Sequence, residues 1–274
     1  LAHFAKSEGI DVTIVGPEAP LVAGIVDHFH AKDLVILGPD QDAARLEASK
    51  SFAKDVMQEA GVHTAAWHVF DALEPALAHV RKSRHPLVIK ADGLAGGKGV
   101  LISKRQELSE AALANYMLHG QFGDAGKRVV IEEMLHGPEV SFMVLTDGST
   151  LIRLPTSQDH KRLQDGDLGP NTGGMGAVVP SPHTTEEIEQ ELIRTIIEPV
   201  LGVLAARGYT FRGFLYAGLM LTKSGPYVLE FNVRLGDPEP QALMMTMEGD
   251  VAEILERAAK GELTPEDILH QRAT

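Results

Sequence analysis

The stretch KADGLAGGKG, residues 90–99, lies between two short apolar runs, PLVI at 86–89 and VLIS at 100–103. Its glycines let backbone N–H groups turn inward on anionic oxygens, and Lys90 and Lys98 bring charge. The segment reads as a phosphate-binding loop on a hairpin between antiparallel strands. Two common nucleotide loops are excluded. G-x-x-x-x-G-K-[ST] requires a hydroxyl after its lysine, but Gly99 follows Lys98, and the spacing from Gly93 to Gly97 is one residue too short. G-x-G-x-x-G fails because Gly97-Lys98-Gly99 runs on into Val-Leu-Ile. Both of those loops open a helix, whereas this one enters a strand. A flexible surface turn is the plain alternative.

Outward from the loop, the pattern alternates between strand and helix. On its N-terminal side WHVF (67–70) reads as a strand, EPALAHVRKS (74–83) as a helix opened by Asp71, and HPLVIK (85–90) as a strand. On its C-terminal side ELSEAALANYMLHG is helical and RVVIEEML is a strand. Near the start, DVTIVG, LVAGIVDHFHAKD and DLVILGP form a strand, a helix and a strand, the βαβ signature of a parallel sheet. One helix is expected from DAARLEASKSFAKDVMQEAG (42–61), with apolar residues spaced around Lys50 and Lys54 and a stop at Gly61. Further on, EVSFMVLTDG and TLIRL read as a hairpin turning at Asp147-Gly148. Residues 154–183 show no sustained periodicity and are too long for an idle connection. A helix capped by Thr184 or Thr185 and ended by Gly208 follows. Two strands, FRGFLYAGLMLT and PYVLEFNV, are then joined through Lys223-Ser224-Gly225.

Three other clusters carry chemistry. In YVLEFNV, period two places Glu230 and Asn232 on one face with Leu229 and Phe231 packing on the other. Two adjacent oxygen ligands suit Mg²⁺, which fills its octahedron with phosphates and water. Arg234, two residues on, is positioned to fork onto a phosphate. At 131–139, Glu132 and the backbone of Glu133 and Leu135 could read an adenine edge, and Glu139 could accept from ribose hydroxyls. In the long loop, Asp159-His160-Lys161-Arg162 and Asn171-Thr172-Gly173-Gly174 offer charge, amide, hydroxyl and bare backbone to a polar ligand. Taken singly, each reads equally as a solvated strand face or a plain loop.

Composition bounds the rest. The 274 residues hold 25 Lys and Arg against 38 Asp and Glu, a net charge of −13, so no general field holds nucleic acid. No apolar run reaches membrane-spanning length, and the start has no signal-peptide pattern, so a cytoplasmic protein is expected. The absence of Cys excludes thiol nucleophiles and Cys-ligated metal. There is no H-E-x-x-H, no G-x-S-x-G and no kinase H-R-D order.

Taken in order, VIKADGLAGGKGV, IEEMLHGPE, TSQDHKR, GPNTGGMGA, GFLYAGLM and LEFNVRLGDPEPQ resemble the glycinamide ribonucleotide synthetase (phosphoribosylamine–glycine ligase) family of the ATP-grasp superfamily. The resemblance implies a mixed α/β and α+β chain, an ATP-grasp fold preceded by part of a parallel-sheet domain. The implied divisions are 1–48 for that partial domain, 49–66 for a helical connection, 67–135 for a small lid subdomain and 136–274 for a large subdomain. It implies ATP as nucleotide, with Lys50, Lys90, Gly93, Gly96, Gly97, Lys98 and Gly99 at its phosphates and Glu132, Glu133, Leu135 and Glu139 at adenosine. Glu230 and Asn232 would bind Mg²⁺ or Mn²⁺, and Arg234, Lys98 and Asp237 would be catalytic. Asp159, Lys161, Asn171, Thr172, Gly173, Gly174 and Asp237 would line the site for glycine and 5-phosphoribosylamine. A monomer is expected, without nucleic-acid or membrane partners. Many ATP-grasp enzymes have another acidic ligand on the strand matched by GFLYAGLM, where Tyr216, Ala217 and Gly218 offer no carboxylate. The family's opening GNGGREH turn and its closing domain have no counterpart, so the chain is expected to be a piece of a longer ligase. Another ATP-grasp ligase and a non-catalytic nucleotide-binding piece are the alternatives.

Overall fold

The computed structural model describes residues 1–166, 168–267 and 270–271, with 170, 171, 270 and 271 described by backbone alone. Two four-stranded antiparallel sheets organise it. The small sheet has the order Trp67–Phe70, Val129–Glu133, Leu87–Ala91, Val100–Ser103, and the large sheet Gly225–Asn232, Gly213–Thr222, Glu139–Thr146, Leu151–Arg153. The glycine loop is the connection between two antiparallel neighbours, paired from Leu87 with Ser103 to Lys90 with Val100. Ahead of both sheets, Thr13–Ile14 and Ile36–Leu37 pair in parallel, as the opening pattern requires.

Alternation explains why the large sheet is central. Phe142 and Val144, with Leu215, Ala217 and Leu219, point to one face, into a core shared with the helices Gln41–Ala48, Lys50–Glu59 and Glu198–Ala206. Met143, Leu145, Phe214 and Tyr216 point to the other, against Glu239–Thr246 and Val251–Lys260. A sheet buried on both faces reads as continuous apolar sequence, and these strands do. The small sheet has its own core with the helices Leu73–Lys82 and Gln106–Leu113.

Several expectations need correction. The opening helix is two pieces, Glu18–Val22 and Ile25–His30, because Gly24 turns left-handed between them. The helix expected over 42–61 is also two, Gln41–Ala48 and Lys50–Glu59, parted at Ser49, whose backbone is extended and whose hydroxyl caps the second helix by accepting from Phe52 N–H. Asp71 does not cap the helix after it. That helix starts after Ala72 without a side-chain cap, and the Asp71 carboxylate pairs with Arg128 instead. The aperiodic stretch holds short strands, Gln158–Asp159 on Ala177–Val178 and Arg162–Gln164 on Leu168–Asn171. Thr185, of the two candidates, caps Glu186–Leu192.

Candidate functional site

The two sheets meet at a β-bulge. Gly218 pairs with Glu230 but Leu219 pairs with Val228, so Leu229 is an extra residue on the edge strand. This overturns strict alternation there. Val228 and Phe231 both enter the core, while Leu229 lines the cleft beside Glu230. The Leu229 carbonyl accepts from Lys90 Nζ at 2.9 Å. The lysine that opens the glycine loop is thereby tied to the residue preceding Glu230, although 139 positions separate Lys90 from Leu229.

The small-sheet side is cationic. Lys90 lies 2.9 Å from Glu132, whose other oxygen lies 2.9 Å from Lys54. Burial alone would raise the Glu132 carboxyl, but the two lysines override it and hold it below the usual range. Both oxygens of the Glu132 carboxylate, expected at an adenine edge, face lysines inside the protein. Lys50 opens its helix beside the loop. Its amide donates to Asp92 O at 3.0 Å, and the Asp92 carboxylate accepts from Ser51 N–H at 2.6 Å and from the Ser49 hydroxyl at 3.0 Å. Burial lowers the Lys50 amine, with Glu230 opposing and Lys90 reinforcing, so Lys50, Lys90 and Glu230 share one field. Gly93 and Gly99 pack closely on Ala125 and Ala95, whereas Gly96, Gly97 and Lys98 form the exposed tip. Glu133 is exposed, accepting from Ala66 N–H at 3.0 Å, and Leu135 is half-buried just beyond the strand.

The large-sheet side is acidic. Glu139, Asp159, Lys161 and Glu230 line one cleft with Tyr216 and Gly218. Lys161 stands 3.6 Å from Glu139, and its amine is raised: burial would lower it, but Glu139, Glu230, Asp159 and Glu239 outweigh burial. Asp159 is pushed up to about 6, first by burial, with Glu239 and Glu139 adding to it and Lys161 opposing. Its buried Oδ1 has no hydrogen-bond partner among the described residues. Beneath them, Ser141 donates to Glu239 at 2.9 Å, so the Tyr216 hydroxyl, 2.9 Å from Ser141, donates in turn. Burial, then Glu239, raises the Tyr216 phenol well above its ordinary value.

The two loop motifs converge. Gly174 packs so closely on Pro238 that a Cβ would lie 2.4 Å from its Cδ, and 3.2 Å from Asp159 Oδ1. Thr172 shapes this turn: its hydroxyl donates to Lys161 O at 2.9 Å and accepts from Gly174 N–H at 3.1 Å. Gly173 lies between them, and the Asn171 side chain is outside the described residues. Asp237 accepts from Gln241 at 3.4 Å. Arg234 departs from expectation. It lies beyond the strand end, and its guanidinium faces away to Glu47 at 2.8 Å and Glu18 at 3.6 Å. Glu47 also accepts from Val233 N–H at 2.8 Å and is pushed up to about 7 by burial, against the pull of Arg234.

The donor set fits a hard divalent cation shared with phosphates better than a closed metal cage. Among the described residues no three His, Asp or Glu side chains are grouped to hold an ion. Glu230 and Asn232 face the same side, paired with Gly218 and Tyr216, and Gly218 adds no side chain of its own beside Glu230. A hard ion with one or two protein oxygens and phosphates for its remaining ligands suits that arrangement. Lys54, Asp92, Ser141, Glu239 and Glu47 were not legible as site residues. The one usable signal was Lys54, a lysine four residues from Lys50 among apolar helix positions.

Comparison with known proteins gives a consistent result. Residues 48–240 match the family described as phosphoribosylglycinamide synthetase, ATP-grasp (A) domain, and residues 1–47 match the N domain of the same synthetase. Phosphoribosylamine–glycine ligases of Escherichia coli K12 and Allochromatium vinosum are 51% and 52% identical over 264 residues, covering 96% of this chain. The chain spans 62% of the length of those relatives. A solved phosphoribosylamine–glycine ligase from Thermotoga maritima superposes with TM-score 0.79 at 37% identity, covering 86% of this chain and 60% of its own. A biotin carboxylase from Campylobacter jejuni, solved as a β-γ-ATP complex, shares the fold at 21% identity, with TM-score 0.74, 96% of this chain covered and 57% of its own.

Proposed function

The chain belongs to the phosphoribosylglycinamide synthetase family, and on that premise we propose that it forms the ATP- and glycine-binding part of a carboxylate–amine ligase. That ligase joins glycine to 5-phosphoribosylamine, giving glycinamide ribonucleotide, ADP and phosphate, a step of purine biosynthesis. The observation that carries the reading is the meeting of a cationic wall, Lys50 and Lys90, with the acidic cleft around Glu230. Polyphosphate and a carboxylate substrate are both anions, and their approach to each other is the main electrostatic obstacle to the reaction.

In this reading a glycine carboxylate oxygen attacks the γ-phosphorus of ATP and ADP leaves. The amine of 5-phosphoribosylamine then attacks the acyl carbon of glycyl phosphate, phosphate departs with the former carboxylate oxygen, and the amine loses a proton. Catalysis of this kind is positioning and charge stabilisation, with no protein nucleophile. Lys90 and Lys50 hold the triphosphate, and the exposed tip carrying Lys98 closes over it and keeps water from the acyl phosphate. Asp159, with its unpartnered buried oxygen, accepts from the glycine ammonium, and Lys161 orients the carboxylate. Glu230 and Asn232 would hold Mg²⁺ or Mn²⁺, which neutralises phosphate charge when bound. Residues 67–135 act as lid and 136–274 as floor. Arg234 braces the floor through Glu47 and would reach the transferring group only on release from that carboxylate.

Glycine labelled with ¹⁸O in its carboxylate tests the proposal. ADP release should depend on glycine and 5-phosphoribosylamine, with one labelled oxygen arriving in the phosphate. Stimulation by a different acid would point to another ligase of the same fold, and ATP binding without glycine binding would point to a nucleotide-binding piece alone. Either result rejects the assignment.

A further inference from the structure

Lys54 lies where no ligand reaches it, with its side chain 2% exposed. Its ammonium sits 2.9 Å from Glu132 Oε1 and donates to Thr64 Oγ1 at 2.6 Å, and the Thr64 hydroxyl donates to Val228 O at 2.7 Å. The other Glu132 oxygen is 2.9 Å from Lys90, which also donates to Leu229 O at 2.9 Å. Val228 and Leu229 are the consecutive residues at the bulge, and both carbonyls accept from groups outside the large sheet. Burying an ammonium is costly, and one lysine would already neutralise Glu132. The second lysine therefore calls for a physical reason.

We propose that Lys54 is a positioning residue for Lys90: by taking one oxygen of the shared carboxylate it leaves the buried cluster with one positive charge in excess, directed to the cleft through Lys90. The proposal rests on the reading of that cleft as the ATP site. Lys90 has three ammonium hydrogens, of which Glu132 and Leu229 O take two, and the third remains for a phosphate oxygen. Without Lys54, Glu132 would turn wholly onto Lys90, and the neutral pair would attract a polyphosphate far less. Through Thr64 the same lysine also clamps the small-sheet cations to the bulge beside Glu230. The charge states agree with this arrangement. Burial brings Lys54 down to about 8, which keeps it protonated at neutral pH, while the two lysines keep Glu132 ionised.

The test is equilibrium affinity for magnesium–ATP and for adenosine, measured by calorimetry on this chain and four variants. Lys54→Met should weaken ATP binding roughly tenfold to a hundredfold while adenosine affinity changes by less than about twofold. Lys54→Arg keeps the charge and should stay within about threefold of the parent. The double variant Lys54→Met with Glu132→Gln restores an unshared charge on Lys90 and should recover most of the loss, whereas Glu132→Gln alone should bind ATP at least as tightly as the parent. If Lys54→Met fails to fold, the double variant is compared directly with the parent, and equal ATP affinity is the expected result. Equal losses for ATP and adenosine, or a double variant as weak as the single one, overturn the relay while leaving the ATP site standing. A parent chain that binds no ATP overturns the site and the relay together.

Discussion

At Gly96 and Gly97 the backbone turns left-handed, at φ +56° and +72°, and a Cβ on either would meet nothing within 4 Å. At Gly174 the backbone is also left-handed, at φ +123°, but a Cβ there would overlap the ring of Pro238. The first segment uses glycine for freedom, and the second for closeness. A turn that packs on nothing can follow a ligand, whereas a turn pressed against its neighbour gives Asp159 and Lys161 a fixed address. The difference teaches that glycine-rich loops beside one cleft need not share a role, in line with the proposed division into an adjustable edge on the small sheet and a floor on the large one.

The sharpest way to break this comparison is chemical. Glu230→Gln on the floor should lower glycine-dependent ADP release on the order of 10³-fold, and Lys98→Ala at the exposed tip on the order of 10²-fold. Neither should move the thermal midpoint by more than about 3 °C, because neither side chain holds a core together. A melt lowered well beyond that range would mean that these residues serve the fold.

Next comes the anchorage of the floor. The Glu47 carboxyl is raised from 4.5 to about 7. A raised acid stabilises the folded chain below its unfolded value, and that contribution disappears as pH climbs through the folded one. Stability from this group should therefore fall by roughly 3 kcal/mol between pH 4.5 and 7, and Glu47→Gln should flatten the slope in urea titrations across that window. An unchanged slope would locate the titration elsewhere.

The smallest effects sharpen the glycine contrast itself. Gly174→Ala should cost about 2 kcal/mol or more from overpacking against Pro238, and Gly97→Ala only about 1 kcal/mol from its left-handed backbone. Equal costs in urea unfolding would erase the distinction between edge and floor.

Much of the fold was legible because periodicity is local. Trp67–Phe70 and Val100–Ser103 coincide with the apolar runs that announced them, and the 147–148 turn joins the strands expected on either side. The site was less so. Glu230 and Asn232 share a face as the alternation required, but Leu229 left its expected side because the bulge adds a residue that sequence does not mark. Ser49 broke a helix whose apolar spacing ran on unbroken, because Asp92, 43 residues away, offers its carboxylate to Ser49 and to the first turn beyond it. Arg234 lies at the right distance along the chain from Asn232, yet its guanidinium pairs with Glu47 and Glu18 near the start of the chain.

The sequence by itself determined the alternation of strands and helices, the residue types able to hold phosphate and a hard cation, and the family resemblance those motifs carry. Only the tertiary structure decided that Glu132 serves two buried lysines, that Gly174 meets Pro238, and that Arg234 is held by Glu47. The reason is physical. Periodicity and motif spacing depend on neighbours along the chain, whereas the partner of a buried charge is chosen among groups that only folding brings within 3 Å, where desolvation makes an unpaired charge too costly to keep.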